Sequence, residues 1–419
     1  MYLIGLIILI IGLLVSVALH EMGHLLPAKK FGTLVPEYWV GFGPTLWETK
    51  KGDTTYGIKA ILLGGYVRIL GMFPTAEAVG VTDDGTDHSL VAEARRQSAL
   101  ELEEANQDGA TGTPFYTLPT GKKLVVMMGG PLMNLLLAVV LTAVVLMGIG
   151  FQAPSNKIDD VMPAEGSTTS PAIEAGLEAG DRIVAWDGAQ VSSWDQVVEA
   201  IQATGESGAD VTVDRDGKQV TLHVVPVENE EGGKFVGVVS ALEREPGTFK
   251  DVLDTVWMQA TMTGKAILAL PVSLYDLVRS FFTGEERDPN GVLSVVGVAR
   301  LAGEITSAPS EAAAPGETNV MAGMSVLDRV ALMLSLLAAL NMALFVFNLV
   351  PLPPLDGGHV AGALWGGAKN ATAKVAGKAK PKPVDMAKMM PLTYTVFGLL
   401  LVMTIILVVA DFVKPLSLA

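Results

Sequence analysis

MYLIGLIILIIGLLVSVALHEMGH, residues 1–24, runs without charge from Met1 to Leu19 and then meets three ionisable side chains, His20, Glu21 and His24. The run is one residue short of the ~20 that cross a hydrocarbon core as a helix. It lacks a basic start and a small-x-small cleavage site, so it reads as a retained span rather than a leader. Uncharged stretches recur at Leu124–Gly150, Val330–Leu355 and Met389–Ala410. With 50% hydrophobic and only 17% charged residues over 419 positions, the chain is too apolar for a set of soluble domains. A polytopic α-helical membrane protein with four transmembrane helices is predicted.

The net charge of −15 is unevenly placed. Lys29, Lys30, Lys50, Lys51, Lys59, Lys122 and Lys123 lie between the first two spans, and Lys369, Lys374, Lys378, Lys380, Lys382 and Lys388 follow the third. Both loops therefore read as cytoplasmic. Residues 151–324 hold 27 Asp and Glu against 11 Lys and Arg, which reads as extracytoplasmic and places both termini outside. The absence of cysteine excludes disulfides and thiolate metal ligands. No basic patch interleaved with aromatics points to nucleic acid.

The first helix is assigned to 1–28, and residues 29–74 to a cytoplasmic-side, membrane-associated β-hairpin loop. In that loop β-formers at 45–50 and 54–61 flank the turn Lys51-Gly-Asp53. The second strand continues into Leu62-Leu-Gly-Gly-Tyr-Val-Arg-Ile69, where Gly64 and Gly65 let another backbone approach. Residues 75–113 form an acidic insertion, read as mobile with a short helix near 90–105, and 114–150 carry the second span. A compact α+β module is placed at 155–228. Its Ser170-Pro-Ala-Ile-Glu-Ala-Gly-Leu-Glu-Ala-Gly-Asp-Arg-Ile183 and Trp186-Asp-Gly resemble the PDZ domain of bacterial proteases, which implies binding of an extended peptide by strand addition. Residues 229–323 read as an amphipathic surface helix, with uncharged runs too short to span, and a linker at 305–323. The third span is placed at 324–358, a basic cytoplasmic loop at 359–388 and the fourth span at 389–413.

His20 and His24, four apart on a helix, share a face and can bind one Zn2+ with Glu21 beside them as general base. Three ionisable side chains in an apolar segment cost roughly 2.5–3.5 kcal/mol each near the bilayer centre, which argues for function. A catalytic zinc site needs a third protein ligand. The best source lies 332 positions after His24, in Asn348-Leu-Val-Pro-Leu-Pro-Pro-Leu-Asp-Gly-Gly-His359. Spans one and three run in the same direction, so both motifs reach the cytoplasmic side. Pro351, Pro353 and Pro354 break the helix there and let Asp356 bend inward. Glu21 precedes Lys29 by eight residues, about 12 Å along a helix, which puts the site inside the membrane.

His20-Glu-Met-Gly-His24, Leu355-Asp-Gly-Gly358, Gly130-Pro-Leu-Met-Asn134, Leu63-Gly-Gly-Tyr-Val67 and one PDZ-like module together resemble the site-2 protease family, of the bacterial regulator-of-sigma-E protease type. The resemblance implies that His20, His24 and Asp356 are zinc ligands, that Glu21 is the catalytic base and that Asn348 binds substrate or steadies the tetrahedral intermediate. It further implies a bacterial cytoplasmic membrane enzyme whose partners are the lipid bilayer and a single-span anti-sigma factor already clipped outside. The chain departs from the family at Leu62, where many members carry Pro, and in its long insertion. His359 reads as a loop or interfacial histidine, His88 and His223 as unrelated to the metal, and Asn134 as a hydrogen bond between helices.

The reaction these residues point to is zinc-dependent hydrolysis of a peptide bond within the membrane. A substrate helix must unwind first, and the Gly64-Gly65 edge can hold it extended. A silent peptide-binding scaffold would not need Glu21, and a transporter would show repeated halves.

Overall fold

The computed structural model describes residues 2–415 apart from 84, 108, 165–167, 229–231, 286, 289–290 and 308–323. The chain opens with α1 (Tyr2–Lys30), the strands β1 (Glu37–Lys51) and β2 (Thr54–Arg68), then α2 (Ala76–Val79), α3 (Leu90–Gln107) and α4 (Thr120–Ala143). There follow β3 (Phe151–Val161), α5 (Pro171–Ala175), β4 (Arg182–Trp186), β5 (Ala189–Gln190), α6 (Trp194–Ala203), β6 (Ala209–Arg215), β7 (Lys218–Val224), β8 (Val227–Glu228), β9 (Lys234–Phe235) and β10 (Val238–Glu245). The helices α7 (Phe249–Thr283), α8 (Val295–Ser307), α9 (Val326–Asn348), α10 (Asp356–Val375) and α11 (Met390–Val413) complete it. Two compact units result, Met1–Val145 with Phe249–Ala419, and Leu146–Thr248.

Among the described residues, five helical stretches are long and apolar enough to cross a membrane. Four of them, Tyr2–Lys30, Thr120–Ile149, Val326–Asn348 and Met386–Val413, coincide with the uncharged runs. The fifth is α7, 35 residues long, in which Asp251, Asp254, Lys265, Asp276 and Arg279 interrupt the apolar sequence without ending the helix.

Residues 37–40 of β1 pair with 55–58 of β2 and also with 65–68, so the hairpin folds back on itself and one edge of 65–68 is covered by no strand among the described residues. The 75–113 segment, read as mobile from its composition, carries α3. There Arg95 pairs with Asp385 and Ser98 Oγ donates to Phe73 O at 2.7 Å. The basic loop expected at 359–388 is largely helical, because the Pro-rich turn after Asn348 ends within a few residues and the chain re-enters a helix at Asp356. The linker assigned to 305–323 lies, from 308 onward, outside the described residues.

In the second unit the strand order is β10-β3-β4-β6-β7, with β5 beside β4. Alternation explains the sheet: Ala209, Val211 and Val213 of β6 point inward and are at most 3% exposed. The two-residue turn Asp216-Gly217 has positive φ at both positions, the backbone twist a tight hairpin requires. Ser193 caps α6, whose Val197 and Ile201 close the core over Ile183 and Trp186. The unit extends beyond the expected 155–228, since β10 pairs along β3 from Val238↔Val161 to Glu245↔Phe151.

Candidate metal centre

Two helices of the first unit approach each other through glycine. A Cβ on Gly23 of α1 would stand 2.2 Å from Gly129 O of α4, and one on Gly129 would stand 1.9 Å from Gly23 O. Only hydrogen fits between these backbones. The crossing lays α4 directly on the histidines: a Cβ on Gly130 would meet His24 Nε2 at 2.2 Å and His20 Nε2 at 2.8 Å. On the other side Gly357 folds α10 against the preceding turn, where a Cβ would lie 2.2 Å from Val350 O. Asp356, the first residue of α10, is thereby turned toward α1.

The three expected ligands converge. His20 Nε2 and His24 Nε2 are 3.3 Å apart, and Asp356 Oδ2 is 3.3 Å from each. Donors 2.0–2.1 Å from a tetrahedral zinc stand roughly 3.3–3.4 Å from one another, so the triangle has the right size. Proton placement makes the same case. His24 Nδ1 lies 2.8 Å from Val126 O, and a carbonyl can only accept, so Nδ1 carries the hydrogen and Nε2 of the neutral ring presents its lone pair. Asn134, fully buried on α4, has its amide 3.2 Å from His20 Nδ1, and its Oδ1 is without a partner. Turning the amide lets Oδ1 accept from Nδ1–H, which satisfies the orphan oxygen and frees His20 Nε2 as well. Three lone pairs then face one point, and Asp356 Oδ2 is buried without a hydrogen-bond donor. A cation resolves that arrangement.

Glu21 lies on the adjacent face of α1, where its carboxylate accepts from the Val67 backbone and a Cβ on Gly65 would touch its Cγ at 3.5 Å. The β2 edge therefore runs past the carboxylate next to the metal cluster. Asn348 closes α9, half-buried, and is not one of the converging groups. His359 sits one turn beyond Asp356, with its ring 6.4 Å from that of Phe73, outside the cluster. His88 is exposed, and His223 pairs with Asp210 at 2.8 Å in the second unit. The sequence places Asn134 in a hydrogen bond between helices, as found, without naming His20 as its partner, and it does not reveal the buried link from Asn341 Nδ2 to Ser16 Oγ, 2.9 Å, which ties α9 to α1. The signal available was an Asn inside an apolar run, which marks a partner without naming it.

These features define a multi-pass membrane metalloprotein with a helix-borne His-Glu-x-x-His centre completed by a distant aspartate. Peptidase family M50 matches residues 8–392, and the chain belongs to that family. It is 30% identical over 450 residues to zinc metalloprotease Rip1 of Mycobacterium tuberculosis, covering 100% of this chain and 99% of that protein. Metalloprotease MmpA of Caulobacter vibrioides is 27% identical over 374 residues, 85% of this chain and 86% of the relative. The chain is a zinc metalloprotease of the site-2 protease family, and His20, His24 and Asp356 are positioned to hold its metal.

Proposed function

We propose that the chain cleaves single-span membrane proteins inside the bilayer, and that its substrates are anti-sigma factors already clipped outside by another protease. The observation that carries the hydrolysis is the triangle of His20, His24 and Asp356 with Glu21 and the β2 edge beside it, and the substrate class rests on the family resemblance. Zinc bound there acidifies water and polarises a carbonyl. The Glu21 carboxylate takes a proton from the attacking water and passes it to the leaving amide nitrogen. Residues 65–68 offer the edge that no strand covers to the unwound substrate, with Gly64 and Gly65 as the contact positions and Gly65 packed beside Glu21. Asn348, at the end of the helix preceding Asp356, binds the substrate backbone. The second unit acts as a PDZ domain that takes an extended peptide and restrains entry of substrates with bulky outer parts. Four spans, with both termini and this unit outside a bacterial cytoplasmic membrane, follow from the charge distribution, and α7 then lies along the outer surface.

Glu21→Gln tests the assignment. The variant should keep one zinc per chain and lose at least ~100-fold in cleavage of a single-span substrate in proteoliposomes, because the amide cannot accept the proton. Loss of zinc together with activity would make Glu21 structural.

A further inference from the structure

We infer that the chain carries a second ligand site, for a phosphate group of net negative charge, in a cavity of about 360 Å³ between the start of α4, the length of α10 and residues 380–386. Lys123, Lys369, Lys380 and Lys382 are among the residues that line it, and no acidic residue is. Lys369, Lys380 and Lys382 form no ion pair among the described residues. Lys123 is held in place by its hydrogen bond to Tyr116 O, 2.8 Å. A run of lysines is ordinarily a solvated face, but two features set this one apart. The lysines surround a recess of small-molecule size rather than a convex surface. The amino end of α4 also reaches it at Pro119 and Thr120, and that end of the helix has no side-chain cap.

The donor set is specific. Lysine side chains and a helix amino terminus both favour a compact, highly charged oxyanion, and the lining holds no carboxylate to balance a cation. Phe115 and Val384 add apolar wall, which suits a phosphate attached to a larger organic group. The ligand is either the headgroup of an anionic phospholipid or a soluble phosphate ester. The site also touches the metal centre's support, because α10 begins with Asp356 and its glycines seat it here. A Cβ on Gly362 would meet Met386 Sδ at 2.4 Å, and one on Gly367 would meet Thr120 Cγ2 at 2.8 Å. An anion bridging the lysines joins the three segments that hold α10.

The test uses the full zinc-loaded chain in detergent, followed by thermal unfolding. Phosphatidylglycerol in mixed micelles, or glycerol 3-phosphate in solution, should raise Tm by at least about 2 °C in a saturable, salt-sensitive manner, while phosphatidylcholine should not. A response to the lipid alone assigns a membrane source, and a response to glycerol 3-phosphate alone a soluble one. Combined Lys369→Gln, Lys380→Gln and Lys382→Gln should weaken the apparent affinity at least tenfold, and the corresponding Arg substitutions should preserve it. Lys380→Gln alone serves if the triple variant does not fold, with a smaller loss in the same direction. An unchanged Tm of the parent with both anions, or a Gln variant that responds as the parent does, overturns the proposal.

Discussion

A histidine binds a cation only in the tautomer whose lone pair faces it, so the partner of the other ring nitrogen decides whether the metal site exists. Val126 O fixes this for His24, and Asn134 fixes it for His20. Removing the acceptor should cost 10–100-fold in zinc affinity. Asn134→Leu is therefore expected to lose zinc by that factor in a chelator competition titration. Asn134→Asp, which still accepts from Nδ1–H, should keep it. Equal losses in both variants would show that Asn134 acts through packing alone. The ligands themselves were legible in the sequence because each rests on local chemistry: four-residue spacing puts two imidazoles on one face, and three prolines release Asp356. Asn134 was not legible in the same way. Its role depends on how closely α4 crosses α1, which Gly23 and Gly129 set together.

Among the elements, the uncharged runs announced four helices, since twenty apolar residues leave the backbone few alternatives in lipid. The charged helix α7 and the short α8 are different, because their surroundings come from distant residues. Asp411, near the end of α11, accepts from Arg287 Nη1 at 2.5 Å and from the backbone N–H of Ser294 and Gly297 at 2.8 and 3.1 Å. The two side chains are 4% and 2% exposed, and the pair is 124 positions apart in sequence. This clasp anchors the start of α8, which packs on α1. Asp411→Ala would leave the Arg287 guanidinium buried without its counter-charge, at a cost of about 3–5 kcal/mol. Thermal unfolding of the zinc-loaded chain should show a marked fall in Tm for that variant. Arg287→Met combined with Asp411→Asn removes both charges while keeping an acceptor for the α8 backbone, and should recover most of the loss. A double variant as unstable as Asp411→Ala would mean that the ion pair is not what holds α8.

At the scale of the whole molecule, the chain divides into a helical unit that contains every residue of the metal centre and a β-rich unit, Leu146–Thr248, with its own core around Ile158, Ile183, Val211 and Val213. Among the described residues the β-rich unit brings none to the metal cluster, and the proposed function gives it selection rather than chemistry. A PDZ-type unit can select by recruiting substrates or by excluding them, and the two differ in what deletion does. Replacing 146–248 by a short flexible linker should leave zinc content unchanged, because the ligands lie on α1 and α10. If the unit excludes, the deleted enzyme should cleave the clipped form of a single-span substrate about as fast as the parent and the unclipped form several-fold faster. If it recruits, cleavage of the clipped form should fall in an enzyme that still folds and binds zinc. Exclusion is the outcome that the proposed function expects. A peptide bond in a helix reaches Glu21 only after local unwinding, and the exclusion proposal holds that a bulky outer domain on the substrate hinders that movement.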